Sequence, residues 1–395
     1  MIRRKRTGGA DVFKCPQIYY GTGSLDRIAS LKGDRVLIVT DKKIKELGLL
    51  HEVEKRLKEK GSEVEVFDEV EPDPKDTTVA ACAEIASKFK PDLIIGLGGG
   101  SSMDVAKGAF FQYERPDVKL CDMSATETYG LKSKAKLAMI PTTSGTGSEA
   151  TVGCVITDSE SGRKMSLACF ELAPDVAILD PSLAFTMPPR LRANTGLDVL
   201  VHAIEAYIST MHNYFADALA IKAMQTVLTN LEKSVKTGDE EAMEKMHYAG
   251  TFAGVAMTNS GLGLAHGIGH SISALFHIPH GAATGFALPY TIEFCARTSS
   301  DRYVEILRAL GVGGVSTDNA AQKLSSMIKE FMIKIQITPT LKGIGVSEDG
   351  FRKTVPKLAE FSENDVTSIT SPRNASTEDF TRIFEYMLKN KSIDF

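Results

Sequence analysis

Between residues 34 and 150 short apolar runs alternate with amphipathic helical ones, and that alternation leaves few folds open. DRVLIVTD (34–41) has the pattern of a buried strand ending at Asp41. KKIKELGLLHEVEKRLKEKG (42–61) follows as an amphipathic helix stopped by Gly61. EVEVFDEV (63–70) reads as a second strand broken by EPDP, and TTVAACAEIASKFK (77–90) as a second helix. DLIIGLGGG (92–100) is a strand running into glycines, and SSMDVAKGAFF (101–111) opens the next helix. KAKLAMIPTTSGTGSEA (134–150) repeats the plan, an apolar strand followed by a loop of Gly, Thr and Ser. Strands that alternate with helices predict a parallel sheet covered on both faces. In such sheets ligands bind beyond the carboxyl ends of the strands. Asp41, the 96–102 loop and the 141–148 loop all fall there.

The pattern changes near residue 181. DPSLAFTMPPR is punctuated by proline, and from 192 onward the long periodic runs are helical. The clearest are ADALAIKAMQTVLTNLEKSV, EEAMEKMHYAGTFAGVAM, SDRYVEILRALG and AQKLSSMIKEFMIKI. A chain of 395 residues is too long for one simple core. The expected division is an α/β domain over 1–188 and an all-helical domain over 189–395. A net charge of −4 gives no basic excess for nucleic acid. The opening MIRRKRTGG is basic, but no apolar stretch follows, so an ordinary signal peptide is not expected. No segment approaches the length of a membrane span. The six cysteines are scattered without a CxxC pair, as in reduced proteins. A cytoplasmic protein with no membrane partner is the expectation.

GLGGGSSMD joins a strand to a helix. Its glycines let the backbone approach a phosphate, and the helix N-terminus offers free N–H groups and a positive dipole end. It is neither the GxGxxG fingerprint nor a Walker loop, and alone it also fits, less well, a tight strand-to-helix turn. The second loop, PTTSGTGSEAT, adds hydroxyl and N–H donors at a corresponding strand end. An acid at Asp41 suits ribose hydroxyls and would repel the extra phosphate of NADP; by position it also suits a helix N-cap.

Asp198 and His202 lie four apart in TGLDVLVHAIEAY, on one face of a predicted helix. Four of the eight histidines, His266, His270, His277 and His280, crowd into GLGLAHGIGHSISALFHIPHG. One carboxylate and three imidazoles, from Asp198, His202, His266 and His280, make a plausible divalent-metal site. His51, His212 and His247 read as ordinary core or surface histidines.

GGGSSMDVAK (98–107), PTTSGTGSEAT (141–151), TGLDVLVHAIEAYIS (195–209) and GLGLAHGIGHSISALFHIPHG (261–281) together resemble the iron-containing (group III) alcohol dehydrogenases. The likeness runs from FKCPQIYYGTGSL (13–25) into the helical half and weakens after about residue 300. It implies a Rossmann-like N-terminal domain and a helical C-terminal one, with the architecture of dehydroquinate synthase and a cleft between the two. Carried over by position, Asp198, His202, His266 and His280 match the metal ligands, for Fe²⁺ with Zn²⁺ as the alternative. Gly98, Gly99, Gly100 and Ser101 match the pyrophosphate loop, and Asp104 an acid beside the cofactor. Thr142 and Thr143 match positions beside the adenine nucleotide, and Val155 and Lys164 further cofactor contacts. His270 matches a histidine near the metal that is not a ligand, and it is the candidate proton carrier.

The implied reaction moves hydride between a primary alcohol or diol and the nicotinamide of NAD(H), with the aldehyde as the other partner. Homodimers or higher homo-oligomers are implied as well. Where the family commonly has Ala-Asn after PHG, this chain has AATGFALP, and Thr284 and Gly285 are expected to alter the local helix start while leaving His280 itself in place. Gly153 and Met257 match positions near the substrate; a glycine there suggests room for more than ethanol. The alternatives are a polyol dehydrogenase or cyclising synthase of the same superfamily, and a non-catalytic nucleotide- or metal-binding protein.

Overall fold

In the computed structural model, which describes residues 12–395, strands and helices alternate up to residue 179 and helices follow from 189. The basic opening lies outside the described residues. Strands β1 (Gln17–Tyr20), β2 (Arg35–Val39), β3 (Glu63–Phe67), β4 (Leu93–Gly98), β5 (Lys136–Pro141) and β8 (Val176–Leu179) form one parallel sheet. Its spatial order is β1-β8-β5-β4-β2-β3. RVLIV, LIIGLG and KLAMIP are almost wholly buried, as expected for strands covered on both faces. Helices α1 (Lys42–Glu46), α2 (Leu49–Glu59), α3 (Asp76–Phe89) and α4 (Gly100–Glu114) make the crossovers. The order reverses between β2 and β4, because the chain steps from β2 outward to β3 and returns to β4 on the other side. That reversal opens a crevice at the carboxyl ends of β2 and β4, where Asp41 and Gly98–Gly100 sit.

Three elements differ from expectation. The helix over 42–61 is two helices, because Gly48 adopts φ +77° and turns the chain between them. The strand begun at 63 ends at Phe67 rather than at residue 70. An unforeseen antiparallel hairpin, β6 (Gly153–Thr157) with β7 (Lys164–Ala168), stands apart from the main sheet.

The helical half comprises α5 (Pro189–Ile208), α6 (Tyr214–Thr237), α7 (Glu240–Ser260), α8 (Leu264–Phe276), α9 (His280–Phe294), α10 (Ala296–Ala309), α11 (Thr317–Lys334), α12 (Glu348–Glu363) and α13 (Thr377–Leu388). α5, α8 and α9 are buried over most of their length and share one apolar core. Separate cores cover the two faces of the sheet. Helices buried all round show weak amphipathicity, so their polar groups must be partnered internally. Among the described residues no helix is long and apolar enough to cross a membrane.

Candidate active site

Asp198 and His202 project from one face of α5, as their spacing predicts. His266 stands in the first turn of α8, which ends where His277 takes a left-handed conformation. His280 is the first residue of α9, just after Pro279. One ligand atom from each of Asp198, His202, His266 and His280 lies within 4.8 Å of all the others. His280 Nε2 is 3.4 Å from Asp198 Oδ1, His202 Nε2 is 3.7 Å from Oδ2, and His266 Nε2 is 3.9 Å from Oδ1. The His202 and His266 rings stack with centroids 4.7 Å apart.

These gaps are too long for good hydrogen bonds and suit atoms facing a common ion. His266 Nε2, which faces Asp198, is buried and has no partner among the described residues. Orphaned polar atoms of this kind are costly unless something binds them. Burial pushes the Asp198 carboxyl up, but His202, His280, His266 and the Thr284 hydroxyl together outweigh it and hold the carboxyl at about 2. Burial drives His202 down to about 4 against the pull of Asp198, and drives His280 well below its ordinary value. His202 and His280 are therefore kept neutral, the protonation that Fe²⁺ or Zn²⁺ requires, whereas burial of His266 is outweighed by Glu205, which raises its pKa.

Thr284 and Gly285 leave His280 in place, as expected. α9 starts at His280 regardless, and both residues are buried inside it. Thr284 Oγ1 donates to Asp198 Oδ1 at 2.9 Å, and Gly285 leaves room for Leu197. Gly153 does not open space. A Cβ there would lie 3.2 Å from the Leu167 carbonyl, so the glycine serves the close approach of β7. Met257 is half-buried against the helical core.

The nucleotide candidates gather at the crevice. Gly98 has φ +144°, and a Cβ there would strike Ser102 Oγ at 2.6 Å. Gly99 is the N-cap of α4, so Gly100 and Ser101 open its first turn with free N–H groups. The Thr142 N–H donates to the Gly98 carbonyl, and the methyl of Thr143 packs over Gly99. Asp41 caps α1 through Oδ1, which accepts from the Ile44 N–H, and Oδ2 accepts from Ser102 Oγ at 3.2 Å. Asp104 is committed internally: its two oxygens accept from Ser148 Oγ and from the Val155 N–H. One turn on, buried Lys107 donates to Ser148 Oγ, Thr151 Oγ1 and the Gly153 carbonyl. Together Asp104 and Lys107 fasten the second glycine loop and β6 to α4.

The unforeseen hairpin joins the two regions. Lys164 on β7 pairs with Asp73 at 2.5 Å and donates to Ser273 of α8 at 3.2 Å. Ser166 Oγ lies 3.4 Å from His270 Nδ1. The same nitrogen is 2.8 Å from Asp365 Oδ2, whose carboxyl His270 and Thr367 hold far below the usual range against the effect of burial. The His270 and His280 rings stack at 5.0 Å. Glu205, Lys107 and Asp365 were not singled out in the sequence. Glu205 continues the face of Asp198 and His202, whereas nothing in the sequence links Asp365 to His270.

Residues 15–181 match the family model described as Iron-containing alcohol dehydrogenase. Residues 192–388 match that of the Fe-containing alcohol dehydrogenase family, C-terminal. The chain is 41% identical over 380 residues to an NADPH-dependent butanol dehydrogenase of Clostridium saccharobutylicum, covering 96% of this chain and 98% of that one. It is 38% identical to an aldehyde-alcohol dehydrogenase of Streptococcus pneumoniae, matching 89% of this chain but spanning only 43% of that longer protein. The iron-containing alcohol dehydrogenase of Thermococcus thioreducens superposes with a TM-score of 0.86 at 36% identity, over 96% of this chain and all of that one. On these matches and this architecture, the chain belongs to the iron-containing alcohol dehydrogenase family.

Proposed function

We propose that the chain interconverts a primary alcohol or diol with its aldehyde, using NAD(H) and a divalent ion held by Asp198, His202, His266 and His280. The observation that carries this reading is the convergence of those four side chains, from three helices, within 4.8 Å. When bound, Fe²⁺ (or Zn²⁺ in its place) supplies Lewis-acid chemistry toward the alcohol or aldehyde oxygen. The loop Gly98–Ser101 presents its N–H groups and the dipole of α4 to the pyrophosphate. Thr142 and Thr143 flank the adenine nucleotide, and Asp41 accepts from ribose hydroxyls. Lys164, between the hairpin and α8, fixes the nicotinamide end, with Val155 and Asp104 holding that part of the loop in place. His270 carries the alcohol proton toward solvent, since Asp365 takes its Nδ1–H and leaves Nε2 as the acceptor. Residues 1–188 form the nucleotide unit and 189–395 the metal unit, a division supported by the gap between the two family matches.

The test is an anaerobic assay of stripped protein reloaded with Fe²⁺ or Zn²⁺, with NADH or NADPH and a panel of aldehydes of increasing length and polarity. Metal-restored reduction that vanishes in His266→Ala supports the reading; a loaded protein that binds NADH and reduces nothing overturns it. His270→Ala should retain its ion and lose about 10²-fold in kcat, the ordinary scale of a proton-transfer group.

A homodimer fits the surface. β1 is an edge strand of the sheet, with Tyr20 exposed on it, and Tyr214 and Phe215 are exposed at the start of α6, Phe215 paired with Phe13 at 5.4 Å. Light scattering should give twice the chain mass, and a monomer at assay concentration rules the proposal out. Six free cysteines suit a reducing, cytoplasmic setting.

A further inference from the structure

We propose that Glu205 is the positioning residue that makes His266 a metal ligand, by fixing its tautomer and at the same time capping the helix that carries it. The inference rests on the metal reading above. Positions 198, 202 and 205 follow one another down a single face of α5, at offsets of four and three. Glu205 is 2% exposed, and a buried carboxylate needs partners. Both of its partners come from the first turn of α8. Oε1 accepts from the Ala265 N–H at 2.6 Å, and Oε2 lies 2.5 Å from His266 Nδ1.

The first of these bonds replaces a missing cap. Gly263 occupies the N-cap of α8 and has no side chain to satisfy the opening N–H groups. A Cβ at 263 would lie 2.8 Å from Glu205 Oε1 and 3.2 Å from Cδ, so the glycine vacates the space the carboxylate fills. The second bond sets chemistry. An ionised carboxylate only accepts, so the imidazole proton must reside on Nδ1. Nε2 is then left with its lone pair toward Asp198, where it has no other partner among the described residues. Carboxylate-held imidazoles are better oriented and more basic ligands. Capping and tautomer selection are separable roles, and the experiment separates them.

Apo protein is titrated with Zn²⁺ against a chromophoric chelator and with Co²⁺ read by its visible absorption, alongside apo melting curves. Glu205→Gln presents an amide whose N–H₂ favours the wrong His266 tautomer. Its Zn²⁺ affinity should fall about 10- to 100-fold, with an altered Co²⁺ spectrum. Glu205→Ala should lose apo stability as well. Adding Gly263→Ser restores a cap, since the extended backbone at 263 accepts serine, and should recover the melting temperature without recovering the affinity. Glu205→Gln binding Zn²⁺ as tightly as wild type overturns the proposal. So does a Glu205→Ala/Gly263→Ser double variant that regains metal affinity together with stability, because Glu205 would then be only a cap. A wild type that takes up no stoichiometric ion overturns the metal reading itself.

Discussion

Asp41 holds two positions at once: one oxygen caps α1 at Ile44, and the other faces Ser102 at the mouth of the phosphate loop. Substitution by alanine would confuse the two. Serine keeps a capping oxygen and removes the charge. Asp41→Ser should therefore leave stability nearly unchanged. It should raise the ratio of kcat/KM for NADPH over NADH by about tenfold or more, equivalent to relieving ~1.4 kcal/mol of repulsion against a 2′-phosphate. An unaltered ratio with both coenzymes would show that Asp41 is a cap and nothing more. The comparison bears on a real contrast, since the butanol dehydrogenase 41% identical to this chain is NADPH-dependent. The cluster of four side chains was legible at this scale because Asp198 and His202 obey helical spacing and His266 and His280 crowd among glycines. Asp365 was not, because it meets His270 across 95 residues of sequence, through a connection that carries no local pattern.

The second glycine loop is set by how closely α7 approaches it. Gly147 has φ +65°, and a Cβ on Gly254 of α7 would lie 2.6 Å from the Gly147 carbonyl oxygen and 2.9 Å from its Cα. Backbone meets backbone there, so neither side can yield by turning a side chain. Gly254→Ala should cost about 1–3 kcal/mol by overpacking. Because the loop itself must shift, KM for the coenzyme should rise more than KM for the aldehyde; equal changes in both would mean that the strain is absorbed elsewhere. β2, β4 and β5 were readable as strands because burial on both faces makes them continuous apolar runs. The β6–β7 hairpin was not, since its two five-residue strands alternate buried and half-buried positions around a polar turn. That is a weaker pattern than the loop before it, yet the hairpin brings Lys164 and Ser166 to α8. The break in the first helix was hidden for a different reason: helical periodicity persists through Gly48, and only its left-handed conformation separates α1 from α2.

The α/β and helical halves also meet at a titratable contact. His247 of α7 is buried, with Nδ1 3.1 Å from Ser144 Oγ in the second glycine loop and Nε2 without a partner among the described residues. Burial lowers its pKa to about 4 from an ordinary value near 6.5, with Asp180 pulling weakly the other way. Between those two pH values the unfolded chain takes up a proton that the folded chain refuses. Stability must then rise with pH across that window, and the contribution is lost as pH falls from about 6.5 toward 4. For a fully buried imidazole the loss is on the order of 2–3 kcal/mol. His247→Gln keeps a polar partner for Ser144 and does not titrate in this range. Urea unfolding of metal-stripped protein at pH 7 and pH 4.5 should show a smaller acid loss in the variant, by about 2 kcal/mol. The carboxylates and the other histidines titrate in both proteins and cancel in the difference. Parallel pH profiles would mean that His247 reaches water in the folded state. A divergence would place acid sensitivity at the junction of the two halves, where the folded contact keeps its neutral imidazole until the pH approaches 4 and the unfolded chain alone takes up the proton.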